Sequence, residues 1–140
     1  MSDLNPIDQD TLLREIRAYL PTPVREGIER DGSLNFVGGD PGEVVVRVCG
    51  SEVLVAIFAV IWNGPHTPVL GPKAIGSLNW RRLPASGTKV GLRSLIESAR
   101  ELRLAKYGKC ERCGKTKPPE WMHNDKICQS CAERYLGVVH

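Results

Sequence analysis

The sequence has little of what marks membrane-spanning or secreted proteins. Its most apolar run, Val53 to Trp62, is ten residues long, about half of what a membrane-spanning helix needs. The first residues, Met1 to Asn5, have neither the positive charge nor the apolar segment of a secretory signal. We therefore predict a soluble, cytoplasmic protein.

Familiar catalytic and phosphate-binding motifs are also missing. No Ser-His-Asp order and no paired-carboxylate motif stands out, and the glycine-rich stretch from Val37 to Gly42 lacks the lysine and the spacing of a P-loop. His66 lies between two prolines, which favours a loop residue over a metal ligand. These absences predict a protein without catalytic activity.

Four of the five cysteines form two closely spaced pairs. Two residues separate Cys110 from Cys113 and Cys128 from Cys131, and fourteen residues lie between the pairs. Both thiolates of such a pair can reach one metal ion, and four sulfurs fill the tetrahedral shell of Zn²⁺. We predict one structural zinc ion with no open coordination position. The fifth cysteine, Cys49, has strand-like neighbours, which predicts a buried structural thiol.

Charge is unevenly distributed along the 140 residues. Residues 1–87 contain eight Lys and Arg against ten Asp and Glu, a balance of −2, and residues 88–140 contain eleven against six, a balance of +5. Four zinc-bound thiolates with one Zn²⁺ would add −2 and leave the second part at about +3. The apolar share of 41% and the charged share of 25% predict one compact domain, alone or with a small appendage.

The first part of the chain predicts two helices. An apolar stripe with three- and four-residue spacing predicts a helix that is capped by Asp8 or Asp10 and ended by Pro21. A short second helix is predicted directly after it, with Val24 and Ile28 as its buried pair.

Strands are predicted in the middle of the chain. Alternating residues of the second strand, Val44, Val46 and Val48, share one face. The predicted strand over residues 53–62 is apolar on both faces, which predicts that it is central and covered on each side. The predicted strands span residues 34–37, 43–49, 53–62, 69–70 and 74–83.

The clearest predicted helix spans residues 88–107, with Thr88 or Ser86 as cap and Gly108 as its stop. Its apolar stripe consists of Leu92, Leu95, Ile96, Ala99 and Leu102. Its predicted solvent face consists of Arg93, Glu97, Arg100, Glu101, Arg103 and Lys106.

These elements predict an α+β fold. It has an N-terminal helix, a small and mostly antiparallel sheet, a packing helix and a C-terminal Cys₄ zinc finger. The long helix leads into Cys110 without a flexible linker. We therefore predict an α+β domain over residues 1–107 and a finger over residues 108–140 docked on it.

The cysteine-rich segment resembles the treble-clef family of zinc fingers. The stretch Cys110 to Lys115, with Gly114 after the second cysteine, resembles a zinc knuckle, and Ala132 to Gly137 looks like a short helix that follows the last ligand. A zinc ribbon, with a second knuckle and no helix, is the near alternative. The resemblance covers about residues 108–138 and implies a metal-binding scaffold rather than a particular function.

His123 lies between the two cysteine pairs, where treble-clef nucleases of the His-Asn-His type also place a histidine. Those nucleases hold a second, catalytic metal with further histidines. No second histidine follows in the predicted helix, and the usual Asp-His dipeptide is absent. We interpret His123 as a surface or turn residue near Asp125, with a nuclease as the less favoured alternative.

Basic and aromatic residues of the finger predict a nucleic-acid partner. Such clusters bind phosphates, and an exposed ring can stack on a base. A protein partner remains an equal alternative, because small zinc fingers also serve as interaction modules. The candidate nucleic-acid-binding residues are Lys109, Arg112, Lys115, Lys117, Trp121, Lys126 and Arg134 in the finger, with Arg81 and Arg82 beside Trp80.

Overall fold

The computed structural model describes residues 5–62 and 68–137, except for the side chains of residues 61, 62 and 68–70. His66 therefore lies outside the described residues. No helix of the described ranges is both long and apolar enough to cross a membrane. The elements in chain order are α1 (Gln9–Tyr19), β1 (Val24–Ile28), β2 (Leu34–Gly38), β3 (Val44–Cys49), β4 (Glu52–Trp62), β5 (Pro68–Asn79), α2 (Ala85–Ala105), β6 (Gly108–Lys109), β7 (Thr116–Lys117) and α3 (Gln129–Leu136).

The predicted α+β fold is confirmed. Strands β1 to β5 form one sheet in sequential order, and β1 to β4 pair antiparallel with their neighbours. The register places Phe36 beside Val46 and Val46 beside Val55, so these side chains share one face. Helices α1 and α2 contribute Leu12 and Ile96 to the same buried cluster. One face of the sheet and two amphipathic helices thus form the core.

The chain folds into two compact units. The first unit consists of the described residues up to Ala59 together with Pro72–Arg103, and it contains the core described above. The second unit consists of the described residues of Val60–Gly71 and Leu104–His140, and it contains the four paired cysteines. We call the second one the zinc unit.

Asp8 is the residue that caps α1. Its Oδ1 accepts a hydrogen bond of 2.7 Å from the backbone N–H of Thr11, whereas Asp10 lies inside the first turn. This bond lowers the pKa of the Asp8 carboxyl, because the N–H donor favours its charged form. The backbone geometry thus selects one of the two caps that the sequence allows.

The cap gives a pH-dependent prediction. Because the pKa of Asp8 is lower in the folded chain, its contribution is present above the unfolded pKa and disappears as the pH falls through the folded value. We expect Asp8→Ala to lower the melting temperature at pH 7 more than Asp10→Ala does. Thermal unfolding followed by circular dichroism at pH 7 and pH 2 would measure both effects. Equal effects of the two variants at pH 7 would contradict the cap.

The predicted helix around Val24 and Ile28 is wrong, because this segment is the edge strand β1. Val24 is half-buried, but Ile28 is 76% exposed. Residues four apart share one face of a strand as well as of a helix, so the spacing of this pair does not distinguish the two structures. The prediction of a buried Cys49 is also wrong, because this thiol is exposed at the end of β3.

Helix α2 begins earlier than predicted and buries an arginine. Its first residue is Ala85, so Ser86 and Thr88 lie inside the helix and do not cap it. Arg103, predicted on the solvent face, is 1% exposed, and Leu102 of the predicted stripe is 47% exposed. The buried positions are Thr88, Leu92, Ile96, Ala99 and Arg103, which follow one another at three- and four-residue spacing.

Candidate metal centre

Two different local structures carry the two cysteine pairs. The first pair lies in the tight turn between β6 and β7, where Gly114 adopts a φ of 75° that favours glycine. The backbone N–H of Gly114 donates to the carbonyl of Cys110 at 2.9 Å and closes this turn. In the second pair, Cys128 is the N-cap residue of α3 and Cys131 lies in its first turn. The helix ends at Gly137 in the left-handed conformation, as the sequence predicts.

The four sulfurs form one compact group that fits a zinc ion. Their Sγ atoms all lie within 4.8 Å of one another, and those of Cys113 and Cys128 are 4.0 Å apart. A Zn–S distance of about 2.3 Å places tetrahedral sulfurs about 3.8 Å apart. The spacing therefore suits four ligands of one ion and is too long for a disulfide. The predicted zinc ligands are brought together, and the site is that of a single structural zinc ion.

Backbone N–H groups stabilise the thiolate form of Cys110, which is the form that binds a metal. The N–H groups of Cys113 and Cys128 donate to Cys110 Sγ at 3.5 Å and 3.4 Å. These bonds, that of Cys113 first, lower the pKa of the Cys110 thiol from 9.0 to about 6, although burial opposes them. A thiolate is the form that binds zinc, so this sulfur is held in its ligating state near neutral pH.

The sulfur of Cys131 shows the opposite effect. Burial raises the pKa of its thiol to about 12, and the three neighbouring sulfurs act in the same direction. Crowded, buried thiolates repel one another, so they lose their protons together only when a cation supplies compensating charge. A divalent ion among the four sulfurs provides that charge.

Three of the four clustered cysteines are shielded from solvent. Cys110, Cys128 and Cys131 are buried, and Met122 and Ile127 pack against them. Cys113 is the exposed member of the cluster. This hydrophobic cluster is small, so we expect the fold of this segment to depend strongly on the metal.

No protein-family model, curated protein or solved structure matches this chain.

Two basic residues of the zinc unit lie over exposed aromatic rings. The Arg112 guanidinium carbon is 4.0 Å from the centroid of the Tyr135 ring, and the Lys117 Nζ is 5.5 Å from that of Trp121. Trp121 is 45% exposed and Tyr135 is 51% exposed. Tyr135 was not among the sequence candidates, although its position four residues after Cys131 places it one helical turn beyond a ligand.

The remaining candidate basic residues are divided between the two units. Lys126 lines one shallow cavity with Glu111, Ile127 and the Arg112 already described. Arg81 and Arg82 belong to the first unit, where both backbone N–H groups donate to Asn79 Oδ1 at 3.2 Å. Lys109, Lys115 and Arg134 belong to the zinc unit with their side chains exposed.

His123 lines a second and larger cavity of the zinc unit. This cavity has a volume of about 350 Å³. The sequence did not reveal it, because its lining residues come from separate segments. They are Val60, Lys106, Gly108, Pro119, Glu120, Met122, His123, Asn124, Asp125 and Gln129.

Proposed function

We propose that the zinc unit is a treble-clef-type module that binds single-stranded nucleic acid, and that the chain is a non-catalytic regulator or adaptor. The proposed setting is the cytoplasm, where reducing conditions keep the Cys₄ thiolates available for zinc.

The treble-clef assignment draws support from the order of local structures. A turn between two short strands carries Cys110 and Cys113, and the start of a helix carries Cys128 and Cys131. A zinc ribbon would place the second pair in another turn between strands. The segment between the pairs contains β7, a 3₁₀ turn over Pro119–Trp121 and one isolated bridge between Met122 and Cys128.

The pairs of cation and exposed ring carry the proposal for nucleic acid. A base stacks on an exposed aromatic ring, while a neighbouring Lys or Arg meets the phosphate. Trp121 with Lys117 and Tyr135 with Arg112 each offer both groups within one contact. No carboxylate of the described residues forms an ion pair with Lys117 or Arg112.

The proposal predicts salt-dependent binding that requires the Trp121 ring. We expect the zinc-loaded protein to bind fluorescent DNA or RNA strands of about ten nucleotides, with an affinity that falls steeply as salt rises. Trp121→Ala should weaken binding about tenfold, because one stacked base contributes about 1–3 kcal/mol. Fluorescence anisotropy at several salt concentrations measures both effects.

Leu136→Ala provides the matched control, since it also removes an exposed side chain from the zinc unit but no ring or charge. Leu136 is 60% exposed, and its removal should leave the nucleic-acid affinity unchanged. The absence of binding to either strand at low salt would overturn the proposal.

A protein partner is the second candidate, and the exposure of Leu136 beside Tyr135 favours it. Apolar and aromatic anchors of this kind carry much of the binding free energy at protein interfaces. In that case Leu136→Ala would weaken partner binding, and the affinity would depend little on salt. We propose no catalytic role for His123, because α3 offers no histidine for the second metal that His-Asn-His nucleases use.

A further inference from the structure

The larger cavity of the zinc unit has the size of a small-ligand site. Its volume of about 350 Å³ is at the lower end of the range of about 300–1,000 Å³ that such sites occupy. Val60, Pro119 and Met122 supply apolar walls, and Asp125 and Gln129 are among its polar lining. The cavity is thus large enough for one base-sized group.

The metal site holds one wall of this cavity in place. Met122 packs against the cysteine cluster and forms a β-bridge with Cys128. Its backbone N–H also donates to the carbonyl of Pro119 at 3.2 Å. Two walls of the cavity are therefore connected to each other and to a zinc ligand.

Hydrogen bonds within the zinc unit already use some of the polar groups that line the cavity and leave others able to bind a ligand. The Gln129 Nε2 donates to the carbonyl of Glu120 at 2.9 Å, which leaves the side-chain carbonyl of Gln129 as an acceptor. Asn124 Oδ1 accepts from the N–H groups of Lys126 and Ile127 at 2.8 Å and 2.9 Å, which leaves its amide N–H₂ as a donor. The Asp125 carboxylate adds an acceptor with two oxygens.

This combination matches one edge of guanine. Guanine presents two adjacent donors, N1–H and the N2 amino group, next to the acceptor O6. A carboxylate accepts both donors side by side, and an amide N–H₂ or an ammonium donates to the oxygen. Thymine and uracil have no exocyclic amino group and match this cavity poorly.

We propose that the cavity accepts one unstacked guanine base, with the Asp125 carboxylate on its N1–H and N2 amino group and Asn124 on its O6. This inference rests on the proposed binding of single-stranded nucleic acid. Pro119 and Glu120 line the cavity, and Trp121 is the next residue of the same 3₁₀ turn. We therefore expect one strand to place a base in the cavity and another base on Trp121.

The test compares an oligothymidylate of about ten nucleotides with the same strand that contains one central guanine. We expect the guanine strand to bind about tenfold more tightly, the range of one bidentate contact. Replacement of guanine by inosine, which lacks the N2 amino group, should remove most of this preference. Asp125→Asn should abolish the preference, measured as the ratio of the two affinities, whereas Glu133→Gln, outside the cavity, should preserve that ratio.

The outcomes distinguish a guanine site in the cavity from nucleic-acid binding by the surface residues. Equal affinity for both strands would overturn the guanine site and leave the proposed function intact. If neither strand binds, the proposed function fails, and a titration with guanosine monophosphate tests the cavity alone. A shift of the Met122 methyl resonance that is lost in Asp125→Asn would then support the cavity, and an unchanged resonance would overturn it.

Discussion

Replacement of Cys128 by serine is expected to release zinc and unfold the zinc unit. Cys128 is a buried ligand and also the N-cap residue of α3, so its loss removes a metal bond at the point where the helix begins. Structural zinc contributes on the order of 10 kcal/mol to the folding of small segments of this kind. The few apolar contacts around the cysteines cannot replace that contribution.

Two measurements check this expectation. Native mass spectrometry should find one zinc ion in the wild-type protein and none in Cys128→Ser. Hydrogen exchange should show loss of protection in α3, with retained protection in β3 of the first unit. Cys49→Ser is the matched control, because Cys49 is exposed and lies outside the cluster. A full complement of zinc in Cys128→Ser would contradict a required ligand role for Cys128.

Replacement of Arg103 by alanine is expected to destabilise the first unit by about 3 kcal/mol. The Arg103 Nε and Nη2 atoms both donate to the carbonyl of Gly42 at 3.3 Å. The alanine variant would leave a buried cavity and deprive that carbonyl of two donors. Arg100, one turn earlier, forms a 3.1 Å ion pair with Glu43, so α2 holds the loop before β3 through two successive arginines.

Urea denaturation would measure this effect. Arg93→Ala is the control, since Arg93 lies on the same helix but forms an exposed pair with Glu97, whose loss should cost less than about 0.5 kcal/mol. Arg103→Met should fall between the two, because methionine fills most of the space but donates no hydrogen bond. Equal midpoints for Arg103→Ala and Arg93→Ala would contradict a structural role for this buried side chain.

The metal ligands and the main strands were predictable because their patterns have few alternatives. Two Cys-x-x-Cys pairs suit one tetrahedral ion, and the alternation of Val44, Val46 and Val48 suits a strand with one buried face. Both signals depend on spacing that the backbone imposes directly. Both signals can therefore be recognised without knowledge of the tertiary structure.

The burial predictions were wrong where the position of a residue in its helix and its residue type indicate different degrees of burial. Arg103 lies seven residues after Ile96, on the buried stripe of α2, but its charge predicted exposure. The aliphatic part of arginine packs inside when its donors find a partner, and only the fold brings Gly42 to it. The cavity was not predicted because its lining residues, such as Val60 and Gln129, are far apart in the sequence and line one cavity only after folding.

Because Cys113 is exposed, the affinity for the metal and the rate of its release are expected to depend on different sulfurs. All four sulfurs determine affinity, but three of them are buried, and Cys113 is the exposed one. A chelator, or another protein that exchanges zinc by ligand substitution, meets this thiolate first. We therefore expect release of the ion to begin at this bond, so a bulky neighbour that shields Cys113 should slow metal exchange without changing the number of ligands.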